Sequence, residues 1–293
     1  MATVLKSSLW TNESVQYDFL LQASHAMQRL VRKIKKLYYR QLGYFPATID
    51  GVPFTCDPYH VKFWNAVSKG MWEPHTLNIL STYLNSQSIY CDVGTWIGPT
   101  VLHASTKCKK VYCFEPDRIS YRYLLENLQH NNIHNVIPFN IALTPQDGFI
   151  KVGTFAKSFG RSKTSILKGN DDNAISFPGL SLKTVRQSFN IEKIDFLKID
   201  IEGGEFSLIP SLKTYLTEQK PLLYLSTHPQ FLAPQEREEH MKNLLNSLTV
   251  YDTWYDSSLH AVDPSGLLSP DYLSKGHEFL LMAGKQKTFE NNT

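Results

Sequence analysis

Apolar residues near the start of the chain recur every three or four positions, the spacing of one face of an α-helix. The repeat begins at about Ser14, just after a possible N-cap at Asn12, and stops at Gly43, a residue type common at helix ends. Its members are Phe19, Ala23, Met27, Leu30, Ile34 and Leu37. The pattern predicts a long amphipathic helix over residues 14–43, preceded by a frayed segment of residues 1–11.

The rest of the chain alternates short apolar runs with helical repeats, which is typical of a parallel sheet flanked by helices. The runs that predict core strands are residues 90–93, 111–114, 136–143, a run from Ile194, 221–227, 249–255 and 277–283. Helices are predicted over Tyr121–Asn132, Ser207–Leu216 and Gln235–Leu248. We therefore expect an α/β protein with a Rossmann-like sheet.

We divide the chain into an N-terminal extension, residues 1–80, and a main domain, residues 81–293. Besides the long helix, the extension contains a hairpin with an Asp50-Gly51 turn and a lid-like segment at Gly70–Pro74. Trp72 and Glu73 come shortly before the first core strand, so this segment could fold over a ligand. Alternatively, Trp72 packs in the core and Glu73 caps the next helix.

Residues 147–180 are polar and rich in Gly, Ser, Asn and Asp. This composition predicts a short hairpin at Phe149–Val152 followed by a surface loop. Such a loop could select the substrate, or it could be a tolerated insertion.

The first core strand ends in a glycine turn that opens onto a helix. Trp96 stands between Gly94 and Gly98, where the dinucleotide-binding pattern G-x-G-x-x-G has its middle glycine. An indole leaves no room for a diphosphate, whereas S-adenosylmethionine carries no phosphate. Asp92 suits the positive amino and sulfonium groups of that cofactor. The turn therefore predicts a nucleoside site, unless its glycines only turn the chain.

The second core strand ends at Glu115, 21 residues after Gly94, which is the distance that a helix and a second parallel strand require. Its carboxylate would lie beside the glycine turn and accept hydrogen bonds from ribose hydroxyls. Asn140 and Ala142, at the end of the third predicted strand, are candidates for the adenine edge. An ordinary strand exit explains those two residues almost as well.

Three carboxylates, Asp200, Glu202 and Glu205, follow the run that starts at Ile194. The next strand brings His228 to the same edge, and chemistry in open parallel sheets gathers at the carboxyl ends of strands. A sugar hydroxyl needs a base to take its proton, and we expect Asp200 or His228 to be that base. Glu202 and Glu205 would orient the acceptor or cap the following helix.

A divalent cation is an alternative at this edge, because Asp200, Glu202 and His228 offer ligands that suit Mg²⁺ or Mn²⁺. The two carboxylates would share a face only if the strand continued through both of them. The metal site is therefore a variant of the prediction.

Composition narrows the possible partners. The net charge is +3, with 30 basic and 27 acidic residues, so nucleic acid is not expected as the partner. Basic residues gather in the second half of the predicted N-terminal helix, which indicates either contact with an anionic surface or acidic substrate, or a solvated helix face. That helix could also join copies of the chain.

The four cysteines show no C-x-x-C spacing, and no apolar run is long enough to span a membrane. The N-terminus does not resemble a secretory signal. We therefore expect reduced thiols and a cytoplasmic location.

Taken together, the chain resembles the FkbM family of S-adenosylmethionine-dependent O-methyltransferases over residues 51 to about 230. The matching segments are Gly70-Met71-Trp72-Glu73, Asp92-Val93-Gly94, Ile97-Gly98, Phe114-Glu115-Pro116, Leu124-Leu125-Glu126-Asn127, Asn140-Ile141-Ala142-Leu143 and Leu197-Lys198-Ile199-Asp200-Ile201-Glu202-Gly203. The resemblance implies a seven-stranded methyltransferase fold, parallel except for its last strand. It also implies methylation of hydroxyl groups on sugars, polyketides or related small molecules.

Residues are assigned to the expected site by their positions in these segments. The set expected to hold the cofactor is Glu73, Asp92, Gly94, Thr95, Trp96, Gly98, Glu115, Pro116, Asn140 and Ala142. Family members commonly have Ala-Asn where Thr95-Trp96 stand, and often a glutamate where Ser226 stands. The alternatives to a small-molecule or glycan O-methyltransferase are a non-catalytic cofactor- or glycan-binding module and, less favoured, an RNA methyltransferase.

Overall fold

A computed structural model describes Met27 and residues 30–154, 164–165 and 174–284 of the chain. The strands are β1 (Phe45–Ile49), β2 (Val52–Cys56), β3 (Ile89–Val93), β4 (Lys110–Phe114), β5 (Val136–Phe139), β6 (Ala142–Leu143), β7 (Gly148–Thr154), β8 (Thr164–Ser165), β9 (Ile175–Leu180), β10 (Phe196–Ile199), β11 (Leu222–Thr227), β12 (Thr253–Asp256) and β13 (His277–Met282). The helices are α1 (30–42), α2 (Val61–Ser68), α3 (Pro74–Tyr83), α4 (Pro99–Ser105), α5 (Arg118–His130), α6 (Leu182–Ser188), α7 (Glu205–Ser211), α8 (Lys213–Gln219), α9 (Arg237–Ser247) and α10 (Pro270–Ser274).

Seven strands of the described chain form the central sheet, in the order β12-β13-β11-β10-β3-β4-β5. β3 pairs in parallel with both β4 and β10, so the strand order reverses at β3. β13 runs antiparallel to both of its neighbours. The seven-stranded fold, parallel except for its last strand, is confirmed. The reversal opens a crevice at the carboxyl ends of β3 and β10, where open α/β sheets bind ligands.

Alternating side chains on the buried strands build a core on each face of the sheet. On β3, Cys91 and Val93 join the core that packs under α6, α7 and α9, whereas Tyr90 joins the core on the opposite face. That second core also contains Ile49 of the β1–β2 hairpin and Trp64 of α2. The hairpin has the predicted Asp50-Gly51 turn, with both residues at positive φ. The domain boundary placed at residue 80 stays a prediction.

Several predicted elements differ from the structure, among them the strand predicted over residues 249–255, which is β12 and begins only at Thr253. The third core strand ends at Phe139 and not at Leu143, because Asn140 donates its amide to Glu115 O and Pro116 O while Ala142–Leu143 leave for a second sheet with β9. The strand that starts in the run from Ile194 is β10 and ends at Ile199. The helix predicted over Ser207–Leu216 is two helices, α7 and α8, and Pro210 within α7 lacks the N–H that a helical hydrogen bond requires.

The prediction of a hairpin at Phe149–Val152 is wrong, because these residues belong to the single strand β7, which pairs with β9. Most of the polar loop after it lies outside the described residues, as do residues 1–26 with the possible N-cap Asn12 and the first half of the N-terminal helix. Within the described part of the chain, no helix combines the length and apolar character that crossing a bilayer requires.

Candidate active site

The turn after β3 lies directly against the end of β10. Gly94 has φ +89°, and a Cβ added to it would come 1.8 Å from Asp200 O. Only glycine tolerates this conformation and this approach. Gly98, just before α4, has φ +87°, again the left-handed conformation that favours glycine, and a Cβ there would also come 2.5 Å from Leu124 Cδ1.

Trp96, between those glycines, has φ +52°, a strained conformation for a side chain of this size. Its ring packs against Phe63, with centroids 4.6 Å apart, and against His60, at 5.5 Å. Glu73 and Glu202 also have positive φ, at 40° and 50°, and with Trp96 they line the larger of two cavities at this edge of the sheet. Such strain gathers at sites where function requires it.

Glu115 lies beside the turn, where the strand pattern predicted it. Its Oε2 accepts a hydrogen bond from Trp96 N at 2.8 Å, and its Oε1 accepts one from Asp117 N at 2.8 Å. The side chain is buried, and burial raises its pKa to about 8 although the two backbone donors act in the opposite direction. The carboxyl group is thus held in one orientation at the end of β4.

A buried lysine connects the turn after β3 with the end of β10. Lys198 Nζ lies 3.7 Å from Asp92 Oδ1 and 3.2 Å from Asp200 Oδ2. Burial would lower the pKa of Lys198, but the carboxylates of Asp200 and Asp92 raise it above its usual value. Asp92 Oδ2 accepts hydrogen bonds from Tyr90 and Thr100, and its buried Oδ1 has no hydrogen-bond partner. Lys198, to which the sequence patterns assigned no role, is therefore a cation of the site.

His228 sits among the three carboxylates predicted to lie opposite it. Its Nε2 is 3.7 Å from Asp200 Oδ1 and 3.9 Å from Glu202 Oε2, and its Nδ1 is 3.4 Å from Glu205 Oε1. Burial opposes the charged ring, yet Glu205, Asp200 and Glu202 outweigh it and raise the pKa of His228 to about 9. The imidazole is therefore a cation at neutral pH.

Glu205, the first residue of α7, links the turn after β10 to the end of β11. It is fully buried, its Oε2 accepts a hydrogen bond from Gly203 N at 2.8 Å, and its Oε1 accepts one from His228 N at 2.6 Å. It joins the end of β10 to the end of β11. This arrangement makes Glu205 a positioning residue at the start of α7.

Two carboxyl groups of the site hold their protons differently. Burial, followed by the charge of Asp200, raises the pKa of Glu73 to about 8. Burial would raise the pKa of Asp200 too, but Lys198 and His228 hold it below its ordinary value. At neutral pH, Asp200 is charged and Glu73 carries a proton, the kind of division that assigns acid and base roles.

Two adjoining cavities open at this edge among the described residues. The larger, of about 680 Å³, is lined by aromatic rings and by acidic groups, including Glu73, Asp256 and Glu278. The smaller, of about 70 Å³, is a narrow cleft between Glu115 and Pro116 on one side and Ile201 on the other. Both cavities share a wall, formed by Gly94, Trp96, Asp200 and Glu202.

The structure divides the predicted cofactor residues into four groups. Glu115, Pro116 and Ala142 line the smaller cavity, Glu73 and Thr95 line the larger one, and Gly94 and Trp96 line both. Asp92, Gly98 and Asn140 lie behind the site and line neither cavity. Of the predicted catalytic residues, Asp200, Glu202 and His228 line the larger cavity, and Glu205 lies behind them.

The sequence patterns did not identify the residues that the last part of the chain contributes to the larger cavity. Asp256, Tyr272, His277 and Glu278 line the larger cavity, and Glu278 Oε2 accepts a hydrogen bond from Tyr224 at 2.7 Å. Because β13 is antiparallel, its first residues reach the edge where the parallel strands end. The resemblance to a fold with an antiparallel last strand could have identified His277 and Glu278.

The metal variant of the prediction is not supported. Within the described part of the chain, no group of three His, Cys, Asp or Glu side chains is arranged to hold a metal ion. β10 ends before Asp200, so Asp200 and Glu202 do not continue the strand that would have placed them on one face. The three side chains form ion pairs with one another instead.

A sequence model of the Methyltransferase FkbM domain matches residues 92–249, more than half of the chain. No curated protein matches the sequence. Among solved structures, the chain is similar to Methyltransferase FkbM from Methylobacillus flagellatus KT, at 17% identity and a TM-score of 0.43. That match covers 67% of this chain and 43% of the other, so the chain spans less than half of that protein.

Two similar structures were solved with a bound nucleoside. One is a Streptococcus mutans protein in complex with SAH, at 13% identity and a TM-score of 0.42, covering 71% of this chain and 96% of that chain. The other is M. jannaschii TYW2 in complex with AdoMet, at 13% identity and a TM-score of 0.41, and that match covers 82% of this chain and 85% of that chain.

Proposed function

Since the chain belongs to the FkbM methyltransferase family, we propose that it transfers a methyl group from S-adenosylmethionine to a hydroxyl of a sugar, a glycan or a related small molecule. The wall shared by the two cavities carries the proposal. A donor in the smaller cavity and an acceptor in the larger one would meet across Gly94, Trp96, Asp200 and Glu202.

The lining of the smaller cavity suits an adenosyl group, which would extend beyond its volume of about 70 Å³ along the wall shared with the larger cavity. Ala142, Leu143, Val152 and Ile201 give it apolar walls for a flat base, and Glu115 lies where ribose hydroxyls would donate hydrogen bonds. The backbone of Gly94 packs directly against that of Asp200, which brings both residues to the wall of this cavity. Trp96 stands where a diphosphate would require glycine, which favours a phosphate-free cofactor. When bound, S-adenosylmethionine supplies a methyl group on a positively charged sulfur.

Asp200 is our candidate for the general base. Its carboxylate is charged at neutral pH and lies in the shared wall, so it could accept the proton of an acceptor hydroxyl while the methyl carbon passes from the sulfur, which leaves as a neutral sulfide, to that oxygen. Lys198 and His228 hold Asp200 in place by charge. His228, the other candidate, is already protonated at neutral pH and serves better as a positioning cation.

The larger cavity suits a neutral polyhydroxyl acceptor. The rings of Phe63, Trp72 and Tyr272 can cover the C–H face of a sugar, while Glu73, Asp256 and Glu278 can hydrogen-bond to its hydroxyls. The carboxylates of Asp256 and Glu278 disfavour a polyanion such as RNA, because its phosphates would meet like charges. A cytoplasmic location agrees with the four buried, unpaired cysteines.

Calorimetric titration with S-adenosylmethionine tests the cofactor site and separates the enzyme from a non-catalytic glycan-binding module. We expect binding to the wild-type chain and binding weaker by about tenfold or more in Glu115→Gln, because the amide nitrogen would face one of the two backbone N–H groups that now donate to the carboxyl oxygens. Glu126→Gln, a surface variant on α5, is the matched control. An absence of binding to the wild type would reject the enzyme.

A methyl-transfer assay tests the acceptor class. Radiolabelled S-adenosylmethionine is offered with neutral oligosaccharides, sugar phosphates or RNA. We expect label in neutral hydroxyl acceptors, released only under conditions that cleave methyl ethers. Label in RNA alone would overturn the proposed acceptor class.

A further inference from the structure

Helix α1 exposes its apolar side chains. Met27, Leu30, Ile34 and Leu37 are 62%, 52%, 58% and 69% exposed. With Val31, Tyr38 and Leu42, which are also exposed, they form what we call the apolar face of α1. At the helical rotation per residue, these seven positions occupy an arc of about 140°. An aliphatic face of this width is normally buried against another element.

The rest of the described chain contacts the opposite side of the helix. The Tyr39 ring packs on Phe45 with centroids 4.7 Å apart, and the Arg40 guanidinium lies 5.0 Å from the centre of the Tyr59 ring. Tyr39 and Arg40 both fall outside the apolar arc. The helix is therefore attached through its polar side, and the apolar face points away from the protein body.

The polar side is strongly basic. Between Met27 and Leu42 the sequence has six basic residues and no acidic one: Arg29, Arg32, Lys33, Lys35, Lys36 and Arg40. The whole chain has a net charge of +3, so the remainder carries a net charge of −3. Positive charge is thus concentrated on the one helix that also exposes an apolar face.

We propose that the apolar face of α1 docks on the surface of an anionic lipid bilayer. Helices that lie in a membrane interface combine a wide apolar face with a Lys/Arg-rich polar face, and both are present here. The aliphatic side chains would enter the boundary between headgroups and acyl chains, while Lys33 and Lys35, which flank the apolar arc, would contact anionic headgroups. The helix would lie along the surface and not cross it.

Charge disfavours a second copy of the chain as the occupant. Two α1 helices packed through their apolar faces would bring the flanking lysines of both copies to the edges of one seam, without an acidic residue in the helix to pair with them. An anionic lipid surface would contact the apolar face of α1 through its acyl chains and the flanking lysines through its headgroups.

Flotation of the full chain with vesicles tests the proposal. We expect binding to vesicles of phosphatidylcholine mixed with phosphatidylglycerol, at least about tenfold weaker binding to phosphatidylcholine alone, and loss of the difference in high salt. Replacing Leu30, Ile34 and Leu37 together by Ser should abolish binding. Replacing Lys33, Lys35 and Lys36 together by Gln should remove the preference for anionic vesicles. Leu125→Ser and Phe149→Ser, exposed apolar positions elsewhere, are the matched controls.

Circular dichroism and calorimetric binding of S-adenosylmethionine show whether each variant is folded, because α1 contributes nothing to either cavity. The proposal is overturned if the wild type ignores vesicles of both compositions or binds them equally. It is also overturned if the wild type does not bind vesicles and instead forms a dimer that is absent when Leu30, Ile34 and Leu37 are replaced by Ser.

Discussion

Charge compensation decides the chemistry of single residues at this site. Asp200 and His228 are buried to a similar degree among charged groups, yet the first keeps a low pKa and the second a high one. Each owes its charge to the other and to Lys198, Glu202 and Glu205. Changing one member therefore alters the protonation of the rest, and variants must be interpreted as members of a network.

Asp200→Asn removes the proposed base while keeping the shape of the side chain. We expect the turnover rate to fall by about 10²–10⁴-fold, the usual contribution of a general base, with little change in the affinity for S-adenosylmethionine. Steady-state kinetics and calorimetry measure the two quantities separately. Glu239→Gln, on the exposed side of α9, should leave both unchanged. A wild-type turnover rate in Asp200→Asn would exclude this base.

His228→Gln should reveal the charged imidazole through the pH dependence of stability. The pKa in the folded chain, about 9, lies above the ordinary value of 6.5. The stabilisation is therefore fully present below pH 6.5 and is lost as the pH rises through about 9. By linkage, it contributes about 2.5 kcal/mol to the free energy of unfolding at pH 7.

Urea unfolding of wild type and His228→Gln at several pH values checks this expectation. The difference in unfolding free energy should be large at pH 6 and shrink above pH 9. His134→Gln, at an exposed position, is the control for loss of an imidazole. A difference independent of pH would show that His228 is not charged in the folded chain.

At the level of elements, α5 ties the N-terminal hairpin to the turn that carries the site. The Oδ1 of buried Asn127 accepts a hydrogen bond from Asp57 N at 2.7 Å, and its Nδ2 donates one to Ile97 O at 2.9 Å. Asp57 in turn accepts a hydrogen bond from the indole of Trp64 in α2. One amide side chain thus fixes the loop after β3 relative to β2 and α2.

Asn127→Ala should destabilise the fold by about 3 kcal/mol, because it leaves a buried N–H and a buried carbonyl without partners. Urea unfolding measures the loss. Gln129→Ala, at an exposed position of the same helix, should cost well under about 1 kcal/mol. Equal effects of the two substitutions would mean that the Asn127 bonds contribute little.

At the level of the whole molecule, ligand binding should stabilise the fold selectively. At a concentration of 100 times its Kd, S-adenosylmethionine should add about 2.7 kcal/mol to the free energy of unfolding. NAD should add nothing, because its diphosphate needs the space that Trp96 takes from the glycine turn. Thermal unfolding with each compound makes the comparison, and stabilisation by NAD alone would contradict the proposed cofactor.

Local patterns were sufficient for most elements of this fold. The period of apolar residues identified the core strands, and the spacing from Gly94 to Glu115 placed a carboxylate beside the turn. Element ends were less predictable, since Asn140 ends its strand through hydrogen bonds to the distant residues Glu115 and Pro116, and Pro210 interrupts a helix by lacking an N–H. The sequence could thus place residues at the edge of the sheet where the parallel strands end, but it could not show which cavity each of them lines.

By itself, the sequence determined the α/β architecture, the family and the glycine turn with Trp96, because each depends on residues close together in the chain. The tertiary structure alone decided that Lys198 is a cation of the site, that His228 is protonated, and that β13 brings Glu278 to the larger cavity. These properties arise from charges and strand directions that meet only when distant segments pack together, and a linear pattern contains neither distance nor burial.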